Sequence, residues 1–415
     1  MRYELKYGSG YLNLDLHDGV RVDVFEPRDV PALADPAAAL VSALNAPVGC
    51  PPLKAQPAPV SLAIAVPDET RPVPLKTLLP PLIDYVLAAW PTLRQENIAI
   101  VVGGGLHPPA DAAQLERILP ESARACRIVV HDAENSPVIS FGVTSRGTPV
   151  EINAEFGWAQ YRMVVGMVDA HQFVGFTGGA KGVTIGCASA AMITANHSMM
   201  HSATAYAGNI ADNPVRLDLN EAGQLAGVNL AVNVVMDAAK RPAAILAGAP
   251  HLVMREVSAK TAELYGLSFK EPYDIVVASC GGLPKDICLY QAQKGLSSAT
   301  ACAAPGAHIV LLAKCEQGIG DDHYYNYVRQ FKNDSELVET FSRGPFRMGA
   351  HKAFLFARAT TRFDVCIHSD LPEATLAGCL LRPGRIQEAV DAWLKEKPAA
   401  RVAIIKSANS SFFCV

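Results

Sequence analysis

Strand-length apolar runs alternating with helical stretches limit most tightly what this chain can become. They fall at residues 60–66, 98–102, 127–130, 163–167 and 230–235, and again at 273–279, 308–312, 365–368 and 401–405. Runs this continuous suit strands buried on both faces, and helices between such strands build βαβ units around a parallel sheet. The expected class is α/β: two α/β domains with mainly parallel sheets and the active site in the interdomain cleft, where ligands commonly bind. A boundary near residue 268 separates an N-terminal domain (1–267) from a C-terminal one (268–415). Residues 27–59, rich in Pro and Ala, read as a connecting segment. Residues 140–155, with an Arg-Gly-Thr turn, read as a hairpin, and 285–304 as a helix entered from a glycine turn.

Composition narrows the partners. The formal charge of −4, without any long run of Lys or Arg, leaves no footprint for nucleic acid or an anionic membrane, so a small molecule is the expected ligand. No signal-peptide core and no uninterrupted span of about 18 apolar residues is present, and a cytoplasmic protein is expected. Ten scattered cysteines without a Cys-x-x-Cys pair fit reduced thiols better than a disulfide framework or a zinc ribbon.

The polar residues fall where α/β enzymes keep their sites, after the carboxyl ends of strands. The run at 60–66 exits into Asp68-Glu69-Thr70-Arg71, the run at 98–102 into Gly103-Gly104-Gly105-Leu106-His107, and the run at 163–167 into Asp169-Ala170-His171. Each has a plain alternative as a turn cap or surface residue, but three strand ends converge on an acid, a guanidinium and two imidazoles. Beyond them, Gly178 and Gly179 precede Lys181, whose amine offers a phosphate contact or a nucleophile. Nucleotide motifs do not match. A Walker-type loop needs glycine before its lysine and Ser or Thr after it, where this chain has Ala180 and Gly182, and Pro108 stands where a dinucleotide fingerprint needs its third glycine. His197 and His201, four apart, would share one face of a helix at a spacing that can hold a metal, though no glutamate follows the first. In the second half, Gly281-Gly282 ahead of Lys285 suggests a helix start able to take an anion, with Gln291 and Lys294 on neighbouring helix faces.

Taken in order, Asp68-Glu69-Thr70-Arg71-Pro72, Gly105-Leu106-His107-Pro108, His171-x-x-x-Gly175-Phe176-Thr177-Gly178-Gly179-x-Lys181, Asn196-His197, Asn213-Pro214-Val215, Leu283-Pro284-Lys285-Asp286, Tyr290-Gln291-Ala292-Gln293-Lys294 and Glu316-Gln317-Gly318-Ile319-Gly320 resemble the lactate racemase family. They span roughly residues 60–350. The resemblance implies a racemase or 2-epimerase of 2-hydroxy acids that uses a nickel-pincer nucleotide, a nickel pyridinium bis-thiocarboxylic acid mononucleotide. It implies that Lys181 holds this cofactor through a thioamide, with Asp68, Gly178 and Gly179 beside it. His197 would be the protein's nickel ligand, two sulfurs and a ring carbon completing a square plane, a geometry suited to nickel(II). His107 and His171 would be the acid/base pair on opposite faces of the substrate, and Arg71, Gln291 and Lys294 would hold its carboxylate and hydroxyl.

These residue types suit that chemistry. A C–H beside an ionised carboxylate is a very poor acid, so inversion by proton removal alone would demand a dianion, which hydride transfer to an electrophilic cofactor avoids. One imidazole takes the hydroxyl proton as hydride leaves, and a second on the other face lets the reaction run in both senses. Family members often carry arginine before the cofactor lysine and after the first histidine; Ala180 and Pro108 are expected to remove charge near the site and open the choice of 2-hydroxy acid. The implied partners are that acid and the enzymes that build the cofactor, and the reading is compatible with a homo-oligomer. Two alternatives stand beside it: a zinc-type hydrolase or lyase using His197 and His201, and a non-catalytic carrier of the nickel nucleotide.

Overall fold

The structure, a computed structural model, describes residues 1–414. The chain divides into two compact units, Asp29–Leu264 and Met1–Arg28 joined by the chain from Tyr265 onward. Each is built on a six-stranded sheet with helices, and both sheets are mainly parallel. In the Asp29–Leu264 unit the strand order is Pro242–Gly248, Leu230–Met236, Tyr161–Val168, Leu62–Pro67, Ile98–Gly103 and Arg127–Val130. All neighbours are parallel except Pro242–Gly248, which returns antiparallel at the edge. The Leu62–Pro67 and Ile98–Gly103 strands are buried almost throughout, which is why they read as unbroken apolar runs. From Leu62–Pro67 the chain moves one strand at a time to Arg127–Val130, then restarts on the other side with Tyr161–Val168. The order therefore reverses between Leu62–Pro67 and Tyr161–Val168, and in open α/β sheets ligands bind outside the carboxyl ends of the strands at such a reversal.

The second sheet runs Arg382–Pro383, Asp364–His368, Ala303–Leu312, Tyr273–Ser279, Arg401–Ile405 and Arg21–Phe25, with every neighbour parallel. Its last strand comes from the amino terminus. The expected 1–267 domain differs here, because Arg21–Phe25 pairs residue for residue with Arg401–Ile405 and the Arg2–Tyr7/Gly10–Asp15 hairpin buries Leu5 and Leu14 in the same core as Val277 and Val402. A pairing across hundreds of residues leaves no local trace.

Elsewhere the expected elements appear with shifted ends. The hairpin is Val138–Val143 against Pro149–Asn153. The 27–59 segment also holds a helix, Pro36–Asn45, started by Asp35 accepting from the Ala38 N–H with proline at the first turn. The helix expected from 285 begins at Leu289, after a turn in which the Asp286 carboxylate accepts the Gly8 N–H at 2.6 Å.

Removing residues 1–28 strips Leu5, Leu14, Leu16 and Val20 from the core of this sheet, at about 1.5–3 kcal/mol for each side chain. Amide hydrogen exchange in Arg401–Ile405 is expected to accelerate strongly in the truncated chain; unchanged protection there would refute the pairing's importance.

Candidate active site

The end of the Leu62–Pro67 strand delivers Asp68, whose side chain is buried. Its Oδ2 lies 2.8 Å from His107 Nδ1, and its Oδ1 accepts from the Thr70 hydroxyl at 2.5 Å and the Thr70 N–H at 3.2 Å. Burial alone would raise the Asp68 pKa, but the hydrogen bonds from His107 and Thr70 outweigh it and hold the group below the usual carboxylate range. An ionised Asp68 can only accept, so Nδ1 of His107 carries the hydrogen and Nε2 presents its lone pair. The glycines before His107 allow this approach. A Cβ on Gly104 would stand 2.6 Å from Asp68 Oδ2, and one on Gly103 would strike the Gly186 carbonyl.

Lys181 is placed by a turn with little side chain of its own. Ala170–His171 pairs with Gly175–Phe176, and Gly175, Gly178 and Gly179 all adopt positive φ. Two residues from helix Pro214–Leu225 and its cap hold the turn. Asn213 caps the helix and donates Nδ2 to the Phe173 carbonyl at 3.0 Å, while the fully buried Arg216 guanidinium donates to the carbonyls of Val174 at 3.4 Å, Gly178 at 3.3 Å and Phe176. On the other side the Gly179 N–H donates to Asn233 Oδ1 at 2.9 Å.

The electrostatics follow from this packing. Burial, then the charges of Arg71 and Arg216, bring the Lys181 amine down to about 7, so near neutrality much of it is an uncharged nucleophile. Burial, then Lys181, His197, Arg71 and Arg216, push His171 well below the usual imidazole range and keep it neutral. The Val174 N–H donates to His171 Nδ1 at 3.4 Å. The two histidines thus sit in contrasting settings: His107 is backed by an anion, His171 by cations and little water.

His197 lies on helix Ala190–Ser198 with Nδ1 3.1 Å from Asn196 Oδ1. Asn196 Nδ2 donates to Asp218 Oδ2 at 2.8 Å, and the other Asp218 oxygen accepts from the Thr144 hydroxyl at 2.6 Å. This chain fixes the imidazole with Nδ1 protonated, which leaves Nε2 as a metal donor oriented by its outer partners. Phe173 stands between His197 and His171, its ring edge-on to both at 5.1 and 4.7 Å between centroids. His201 departs from expectation: the helix stops at Ser198, and His201 falls in the 3-10 turn Met199–His201, so the four-residue spacing does not stack the two rings on one helical face. Among the described residues no group of three or more His, Cys, Asp or Glu side chains is gathered to hold a metal ion. A metal that brings most of its ligands with it needs only one imidazole, and His197 fits that demand.

Asp68, Arg71, His107, Gly178, Gly179 and Lys181 line one pocket, about 610 Å³ counted out to its mouth, at the sheet reversal, with Gly166 and Gly103 to Gly105 in its wall. Ala180 is not in that wall. It is buried with its Cβ against Gly223 of helix Pro214–Leu225, so the residue before Lys181 packs on that helix. Pro108 is exposed. Arg216 and Asn233, which the sequence reading passed over, hold the turn; the motif Asn213-Pro214 just before Arg216 was the available signal.

In the other unit, Gln291 is half-buried and Lys294 exposed on helix Leu289–Cys302. The anion site expected at this helix start is not built: the Leu289 and Tyr290 N–H groups donate to the carbonyls of Gly318 and Ile319, both at 3.0 Å. That pairing gives the Glu316 to Gly320 motif a structural role.

Acylation of Lys181 in the apoprotein by a small amine reagent, followed by peptide mass mapping across pH, is expected to rise with a midpoint near 7. A midpoint at the ordinary lysine value of 10.5 would contradict the placement of the amine.

Residues 7–208 match the model of the lactate racemase N-terminal domain, and residues 269–408 that of the lactate racemase C-terminal domain. The lactate racemase of Thermoanaerobacterium thermosaccharolyticum is 29% identical over 289 residues, covering 68% of this chain and 67% of that protein. The lactate racemase of Lactiplantibacillus plantarum is 28% identical over 359 residues, 83% of each. The structure of the Thermoanaerobacterium lactate racemase apoprotein superposes with a TM-score of 0.87 at 25% identity over 100% of both chains. A Thermotoga maritima protein, at 15% identity and a TM-score of 0.63 over 94% of this chain and 100% of its own, shares the fold. With both family models matched in order over most of its length, this chain belongs to the lactate racemase family.

Proposed function

We propose that this chain is a racemase or 2-epimerase of a 2-hydroxy acid, with a nickel-pincer nucleotide carried on Lys181 and its nickel held by His197. The observation that carries the reading is one pocket holding both an amine brought to about 7 and an Asp68-backed imidazole. Three features support the fit of the cofactor: a nucleophilic amine at the exit of a glycine turn, a single oriented imidazole donor, and a wall of glycines that admits a flat ring closely. When bound, the group supplies an electrophilic centre able to accept hydride from an alcohol carbon.

The chain's own residues do the rest. Arg71, exposed and bonded only at 3.4 Å to Thr70, is available to grip the substrate carboxylate bidentately. The Nε2 lone pair of His107 takes the hydroxyl proton, and Asp68 stabilises the imidazolium that forms. His171, neutral in its cationic surroundings, serves the opposite enantiomer. Asp68 thereby acts on His107 more directly than on the cofactor. The reading assigns Gln291 and Lys294 to substrate binding. The relatives' lactate is the first acid to test, within a wider class of 2-hydroxy acids. Ten unpaired cysteines suit a cytoplasmic site, and no helix among the described residues is long and apolar enough to cross a membrane.

Co-expression with cofactor-synthesis enzymes, intact-mass measurement and a chiral screen of 2-hydroxy acids test the proposal. Lys181→Ala is expected to abolish both adduct and inversion. His107→Ala and His171→Ala are expected to keep the adduct and lower inversion by about 10²–10⁴-fold, and Asp68→Asn to keep the adduct and lower kcat by about 10²-fold or more. A Lys181→Ala protein that still inverted its substrate would remove the basis of the assignment. Adduct without turnover of any acid would point instead to a carrier.

A further inference from the structure

Behind the glycine wall lies a polar group that the fold does not satisfy. Asn233, on strand Leu230–Met236, is 1% exposed, and its Nδ2 is buried without a hydrogen-bond partner. Its orientation is set, because Oδ1 accepts the Gly179 N–H at 2.9 Å and so the amide nitrogen is the atom left over. Buried donors are rarely left unmade in native proteins, and one beside a pocket is free to meet an acceptor from outside the chain, water or ligand.

The neighbourhood says where that acceptor comes from. Asn233 is in register with Gly166 on the adjacent parallel strand, so both residues face the same side of the sheet. Gly166 lines the pocket, and a Cβ built there would meet nothing within 4 Å. Gly178, also in the wall, leaves room for the carboxamide: a Cβ there would lie 2.5 Å from Asn233 Oδ1. Val168 and Met254 pack beside the carboxamide as well, but over Gly166 no side chain stands within 4 Å, and that gap is the route from the pocket beside Lys181 toward the orphan N–H. Arg216 and Asn213 act on the turn from helix Pro214–Leu225 and do not supply this acceptor.

We infer that Asn233 is a ligand-binding residue, its Nδ2 donating to a carbonyl, thiocarbonyl or carboxylate acceptor on a pyridinium mononucleotide in the Lys181 pocket while its Oδ1 fixes the turn that presents Lys181. The inference rests on the proposed function for the class of ligand, but it concerns a contact that adduct formation does not by itself require. It also gives a physical reason for polar Asn at the middle of an otherwise apolar strand, Leu-Ala-Val-Asn-Val-Val-Met.

The test separates the clamp from the donor. Asn233→Asp keeps an oxygen for the Gly179 N–H and replaces the donor by an acceptor, whereas Asn233→Leu removes both. With full-length apoprotein labelled with ¹⁵N at asparagine, the Asn233 side-chain resonances, identified by their loss in Asn233→Asp, are followed on addition of nicotinic acid mononucleotide, a pyridinium carboxylate probe. They are expected to shift downfield, and Asn233→Asp to bind the probe about tenfold or more weakly while hydrogen exchange at Gly179 stays protected. Because Asp also adds charge, the shift in the unsubstituted protein is the deciding measurement. Unshifted resonances at saturating probe, or a wild-type Kd in Asn233→Asp, would overturn the inference. Failure here with a normal Lys181 adduct in the holoenzyme would leave the proposed function standing; absence of the adduct from the wild-type holoenzyme would count against that function, while the probe titration would still decide the role of Asn233.

Discussion

A buried guanidinium governs the site. Arg216 is fully enclosed and stabilised only because three carbonyls of the loop containing Val174, Phe176 and Gly178 turn inward to accept from it. Burying such a charge is tolerable when its N–H groups are satisfied, and the acceptors must then stay where the cation needs them. A loop made largely of glycine would otherwise sample many conformations. The same charge reaches beyond the loop. Burial comes first in bringing Lys181 to about 7 and in keeping His171 unprotonated, and the Arg71 and Arg216 charges add to it, while burial holds Arg216 itself down at about 9. The group that shapes the loop thus also adds to the depression of the amine.

The sheet explains why these groups meet at all. Where the strand order reverses between Leu62–Pro67 and Tyr161–Val168, the connections leave in opposite directions and a crevice opens above the strand ends. Asp68 comes from one side, Lys181 with its turn from the other, and the neighbouring strand adds His107. Glycines let the walls of the crevice approach closely: Gly103 against Gly186, Gly104 beside Asp68, Gly178 beside Asn233. The imidazoles differ in preparation. His107 is held by a carboxylate partner, and His197 is oriented at the end of a hydrogen-bonded series running through Asn196 and Asp218 to Thr144.

Much of this was legible in the letters, and the misses share a cause. The apolar runs, the polar residues at their exits and the glycines before Lys181 are local signals, and the strands Leu62–Pro67, Ile98–Gly103 and Tyr161–Val168 appear within a few residues of the expected places. Arg216 and Asn233 went unremarked because their partners lie about 40 and 54 positions away, where a lone arginine in a helix or asparagine in a strand carries no mark of its role. His201 was misplaced because four-residue spacing implies a shared face only while the helix continues, and this one stops at Ser198. The packing of Ala180 against Gly223 likewise has no local mark, because the helix it meets lies some forty residues on.

Residue order alone determined the α/β class, the two-part layout and the set of groups able to do chemistry, because hydrophobic period, glycine content and strand-exit polarity are properties of short windows of chain. Tertiary structure decided the ownership of the first 28 residues, the contrasting environments of His107 and His171, the reactivity of Lys181 and the unsatisfied amide of Asn233. Each of these depends on burial and on charges or hydrogen-bond partners supplied from distant positions, and a dielectric environment exists only once the chain has closed around it.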